Sequence, residues 1–175
     1  MKTIITISLF LGFMACQEST TDNSYSASSN KISESEIKAA NLSEETAQQI
    51  LKGYLKIKDA LVDTDAEAAA YAAGSLLFDF EENENKFIEK LFHEVELIEQ
   101  SKDVDQQRIY FQGLSNNMHT FVKNIDHSGM AIYQQYCPMA FDNTGAYWIS
   151  DNKKVYNPYF GDKMLRCGKV TEVIE

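Results

Sequence analysis

DQQRIYFQGLSNNMHTFVKNI, residues 105–125, decides the fold. Phe111, Leu114, Met118, Phe121 and Ile125 recur there in alternating steps of three and four. That spacing lays one apolar stripe along an α-helix, the pattern of a bundle seam, and Asp103 or Asp105 can open the helix. Three more stretches upstream read the same way. Ser43 offers an N-cap to a helix carrying Ala47, Ile50, Leu51, Tyr54, Leu55 and Leu61. Asp63-Thr64-Asp65 stops it, and Thr64 or Asp65 caps a second helix rich in alanine that ends with Leu76, Leu77 and Phe80. Residues 83–101 give a third, burying Phe87, Ile88, Leu91, Phe92, Val95 and Ile98. Short connections make neighbours antiparallel, so the sequence predicts an up-down four-helix bundle.

After Ser128-Gly129 the period changes from helical to alternating. Residues 131–137 and 146–150 are strand candidates around a turn at 142–145, a further turn falls at 157–162, and 170–174 could close a small sheet. The fold class is therefore mainly α, a bundle with a small C-terminal β-hairpin or loop unit (α+β).

The N-terminus belongs to neither part. Lys2, the apolar run 4–13 and Ala15 before Cys16 have the layout of a lipoprotein signal. On this reading residues 1–15 are removed and Cys16 is acylated. Residues 16–42 form a flexible tether, because their Ser, Thr, Asn and Asp content buries too little apolar surface to offset ordering entropy. Residues 43–175 are the folded domain. Its place is the cell envelope, first the periplasmic side of the outer membrane and second the cell surface. The formal charge of −10 disfavours nucleic acid and anionic headgroups as partners.

Two sulfur clusters lie in the β unit: Cys137-Pro138-Met139 and Met164-Leu165-Arg166-Cys167. Cys137 and Met139 are two apart, as on one face of a strand; Met164 and Cys167 are three apart, as on one side of a tight turn. If the segments meet, four soft donors surround a site for Cu(I) or Ag(I), with Zn(II) a second choice should a histidine complete a two-cysteine site. His127, in the loop before the strands, is the nearest histidine candidate; His119 and Met118 on the last helix are weaker ones. Arg108 and Trp148 serve as structural supports. An oxidising compartment offers a different use of the same residues. A Cys137–Cys167 disulfide would close a loop of about thirty residues and stabilise the chain by about 3–4 kcal/mol. The chain would then be a stapled interaction module without metal, docking through the turn at 157–162.

Tyr136-Cys137-Pro138-Met139-Ala140, Gly145-Ala146-Tyr147-Trp148-Ile149-Ser150 and the run from Asn157-Pro158-Tyr159-Phe160-Gly161-Asp162 to Arg166-Cys167-Gly168 together resemble a domain of unknown function common in Bacteroidetes. Gln107-Arg108, Phe111 and Leu114-Ser115 fit it as well. That family occurs in stand-alone lipoproteins and attached to periplasmic adaptor subunits of copper/silver efflux systems. The resemblance therefore implies metal handling in the envelope, with an efflux adaptor as partner. Where the family often carries a histidine beside the arginine, this chain has Gln107 and Tyr110. Enzymatic chemistry has no foothold here. The chain lacks Cys-x-x-Cys, His-Glu-x-x-His, a glycine-rich phosphate loop and a Gly-x-Ser-x-Gly elbow, so a binding protein, not an enzyme, is expected.

Overall fold

Four long helices and a three-stranded antiparallel sheet make up the domain, in a computed structural model that describes residues 30–127 and 129–174. The helices are α2 (Glu44–Val62), α3 (Ala66–Phe78), α4 (Lys86–Gln100) and α5 (Val104–Val122), preceded by a short α1 (Glu34–Ala40). Each starts on a side chain that accepts a hydrogen bond from the first turn: Ser33, Ser43, Asp65, Asn85 and Asp103. These caps satisfy amides that have no partner within the helix. The chain goes up and down, α2 against α3, α3 against α4, α4 against α5, with α5 returning to α2. Phe111, Leu114, Met118 and Phe121 are all fully buried, as the seam predicts. None of the helices described is long and apolar enough to cross a membrane.

α1 is a departure from the sequence reading, which assigns residues up to 42 to a tether. Ser33 and Glu36 form a reciprocal capping box, and Ile32 and Ile37 are buried in the core. The Lys90 ammonium, 2.6 Å from Glu36, and the Ser33 hydroxyl hold the Glu36 carboxyl down at about 2. Asn117 of α5 then pins the entering chain, accepting from the Ile32 amide at 3.1 Å and donating to the Asn30 carbonyl at 3.1 Å. The folded domain thus includes the chain from residue 30 onward. The signal and lipid-anchor expectations, Cys16 included, fall outside the described residues.

The sheet has the order β2-β1-β3, from β1 (Ile132–Cys137), β2 (Ala146–Ser150) and β3 (Lys169–Ile174). Its β2 edge faces the bundle and is closed by a side chain. The Tyr54 hydroxyl of α2 accepts from the Ile149 amide at 3.0 Å and shares a hydrogen bond with Ser115 of α5 at 2.8 Å. One amide of the edge strand is thereby satisfied without a fourth strand, and the Tyr159 hydroxyl donates to the Tyr147 carbonyl of the same strand. Burial pushes the Tyr54 phenol well above its usual range, so it stays neutral in this role.

Candidate metal centre

Cys137 and Cys167 are brought together by backbone geometry on both sides. Cys137 ends β1, opposite Ala146, on the face it shares with Gln135 and, across the ladder, Trp148. It is fully buried. Gly168 leads into β3 at φ +141, and a Cβ there would stand 2.8 Å from the Tyr136 carbonyl. Only glycine lets the two backbones approach so closely. The turn before it is closed by the Cys167 amide donating to the Met164 carbonyl at 2.9 Å.

Asn157 fixes that turn in space. Fully buried, it donates from Nδ2 to the Cys167 carbonyl at 2.8 Å, while its Oδ1 accepts from the amides of Tyr159 and Phe160. Its own amide donates to the Leu165 carbonyl at 3.0 Å. Residues 157–161 consequently pack inward, with Asn157, Pro158, Tyr159 and Gly161 all buried. Most of the turn expected to dock a partner thus faces the core and holds Cys167, with Asp162 exposed. The signal for it was present, since an asparagine that accepts from the amide two residues on is the usual Asx turn.

The two Sγ atoms lie 2.9 Å apart, both cysteines unbridged. The neighbouring Cys137 thiol raises the Cys167 pKa to about 11; burial adds to this, and a backbone hydrogen bond from Met139 offsets part of it. Thiolate is the nucleophile, so a rise from 9.0 to about 11 lowers its population near neutral pH by about a hundredfold. We expect the reduced protein to react with iodoacetamide at pH 8 about tenfold more slowly at Cys167 than an unhindered thiol does, since the greater nucleophilicity of a high-pKa thiolate returns part of the loss. The rate should keep climbing until the pH nears 11. Mass-resolved alkylation checks this, and ordinary reactivity at pH 8 would refute the raised value.

The methionines are placed differently from the expectation. Pro138 has no amide to continue the ladder, so the strand stops at Cys137 and Met139 enters a turn, 47% exposed. Cys137 and Met139 therefore do not share a strand face. After Met139 the chain passes through Phe141, Asp142 and Asn143, all at positive φ, before Gly145. Met139 and half-buried Met164 instead line one cleft of about 470 Å³, walled by Arg108, Ile109, Phe141 and Phe160. That cleft adjoins the thiol pair without containing it.

The remaining candidates stay apart from the sulfurs. Met118 is fully buried in the bundle core. His119 lies 2.8 Å from Glu172 of β3, a carboxylate that Lys123 also binds at 2.7 Å, so it clasps the sheet to α5. Glu172 pairs with Gln134, three residues short of Cys137, or about 10 Å along the strand. His127 is buried in the loop that enters β1 at the end opposite Cys137. Among the described residues, no group of three or more His, Cys, Asp or Glu is placed to hold a metal ion.

Residues 50–129, the bundle from α2 to the loop after α5, match the model of a family described as "Protein of unknown function (DUF3347)". Over that stretch, the larger part of the bundle, the chain is similar to an uncharacterised domain family. No curated protein and no solved structure matches the chain.

Proposed function

We propose that this chain is an envelope lipoprotein whose reduced Cys137–Cys167 pair binds a soft monovalent ion, Cu(I) or Ag(I), with Met139 and Met164 supplying thioethers from the adjoining cleft. Its role would be heavy-metal resistance or delivery to an efflux adaptor. One observation carries the proposal: the Sγ–Sγ separation of 2.9 Å. A disulfide requires about 2.05 Å. Two thiolates on one tetrahedral ion with bonds of about 2.3 Å stand roughly 3.8 Å apart. The pair sits between these values and reaches either with movements under about 1 Å, so it suits a site that holds metal when reduced and closes when oxidised. The sulfur donors favour a soft guest: two thiols, with two thioethers in the adjoining cleft that Asp105 and Asp142 also border, suit Cu(I) or Ag(I). Zn(II) would need further thiolate, imidazole or carboxylate ligands beside the two cysteines, which the described residues do not gather, and ranks second.

The same distance supports one competing reading, a permanent Cys137–Cys167 staple in an interaction module without metal. Titration of the reduced full chain with Cu(I), against a chromophoric competing chelator, separates the two. We expect one Cu(I) per chain, lost on Cys137→Ser and on oxidation to a species two hydrogens lighter. Met139→Leu with Met164→Leu should weaken binding by about tenfold, as is usual when supporting groups around a metal are removed. Affinity should rise with pH, because the Cys167 proton must leave. A reduced chain that takes up no Cu(I) would leave the staple as the correct account.

A further inference from the structure

The α3–α4 face, away from the sheet, carries features that bundle packing does not use. Tyr71 and Phe78 of α3 are 78% and 75% exposed, the most exposed large hydrophobic side chains among the described residues. They are seven residues apart, hence on one face, with Gly74 and Ser75 between them. All four line one hollow of about 630 Å³. Positions i, i+3, i+4 and i+7 of a helix are the four corners of the hole that accepts a side chain from a facing helix. Here two corners are aromatic walls and two are small, leaving the hole open. Phe78 also lines a second hollow of about 410 Å³, with Leu77, Ile88 and Phe92 at its apolar base. The two hollows therefore run together along the α3–α4 surface.

Charge decides the occupant. Glu67, Asp79 and Glu99 border the first hollow and Glu81, Glu89 and Glu96 the second, all exposed, and no basic residue lines either. None of these six carboxylates forms a salt bridge with a described residue. On α4, Glu89 and Glu96 also border a neighbouring hollow together with Lys86 and Lys90, and Lys90 is bound to Glu36. A second copy of this chain would bring the same six carboxylates against themselves. An anionic membrane surface meets the same repulsion. Residues 1–29 hold a single basic residue, Lys2, against Glu18 and Asp22.

We propose that this face is the docking site for a basic amphipathic helix of another protein, one that presents large apolar side chains at heptad spacing with lysine or arginine on its flanks. Helix-in-groove recognition of this kind reads apolar anchors at i, i+3, i+4 and i+7, and the rim sets charge selectivity and encounter rate.

The test uses the full chain and two synthetic peptides about three heptads long. One has leucine on the apolar face and lysine elsewhere; the other has the same composition with the amphipathic order scrambled. Calorimetry should show the ordered peptide binding, with affinity falling as salt rises. Binding should weaken by about tenfold on Phe78→Ser and on Tyr71→Ser, both exposed enough to leave the fold intact, and drop further on Glu99→Gln with Glu96→Gln. Failure of the ordered peptide to bind would overturn the proposal. So would equal binding of the scrambled peptide, or binding indifferent to Phe78→Ser. A dimer in sedimentation that Phe78→Ser dissociates would assign the face to a second copy and overturn it as well.

Discussion

Gly161→Ala is expected to destabilise the domain by about 3–5 kcal/mol, lowering the melting temperature by roughly 10 °C for a chain of this size. Gly161 begins the 3-10 turn Gly161–Lys163 at φ +54, where any side chain is strained by about 1–2 kcal/mol. The steric term is larger. A Cβ would fall 2.0 Å from Thr64 Oγ1 and 2.9 Å from both Arg108 Nη2 and the Val62 carbonyl. None of these neighbours can step aside cheaply. The Val62 oxygen is backbone; Thr64 is itself β-branched at φ +58; and Arg108 is bonded on every side. Gly129→Ala separates the two terms, because φ there is +70 but nothing lies within 4 Å. Among the described residues it meets no crowding, so it should cost the backbone share. Urea midpoints for the two variants measure the difference, and equal losses would mean that the crowding around Gly161 relaxes freely.

That contrast also shows what the chain discloses in its own order of residues. Periodicity exposes the bundle, since Phe111, Leu114, Met118 and Phe121 need only one another's spacing to declare a buried stripe. Caps are equally local, and β2 falls where the alternation placed it. α1 escapes periodicity because Ile32 and Ile37 are too few to make a stripe, although the Ser33-x-x-Glu36 capping signature is written plainly. What completes α1 is Asn117, some eighty-five positions away, and no local pattern reports such a bond. The sulfur site divides along the same line. A meeting of Cys137 and Cys167 is chemical inference from two clusters; that they do meet depends on Gly168, Asn157 and the register of β1. A period of two carried through Pro138 misplaces Met139, because the ladder ends there. The exposure of Tyr71 and Phe78 is invisible to periodicity, which counts an aromatic on a helix as core until neighbours are known.

Arg108→Lys should be nearly as damaging as Arg108→Ala, a loss of about 2–4 kcal/mol in either case, although the charge is kept in the first. Arg108 is 3% exposed and ties three segments together. Nε donates to the Pro158 carbonyl at 2.9 Å, Nη2 to the Leu61 carbonyl at 3.3 Å and to Thr64 Oγ1 at 3.1 Å, and Nη1 to Asp105 at 2.9 Å. A planar fork with five donors meets the end of α2 and the loop at 158 simultaneously; a single ammonium cannot. The ion pair is the lesser part of this. The Asp105 side chain is 73% exposed, so solvent screens it, and Asp105→Ala should cost well under about 1 kcal/mol. The buried carbonyls decide the effect, since each is left without a donor when the guanidinium goes. Pro158 follows Asn157, whose side chain holds the Cys167 carbonyl, so the damage should reach the thiols. Arg108→Lys should slow oxidation of the Cys137–Cys167 pair by a mild disulfide reagent, and Asp105→Ala should leave that rate unchanged. If Asp105→Ala destabilises as much as Arg108→Lys, the ion pair and not the carbonyl network holds this loop, and the link from α5 to Cys167 fails with it.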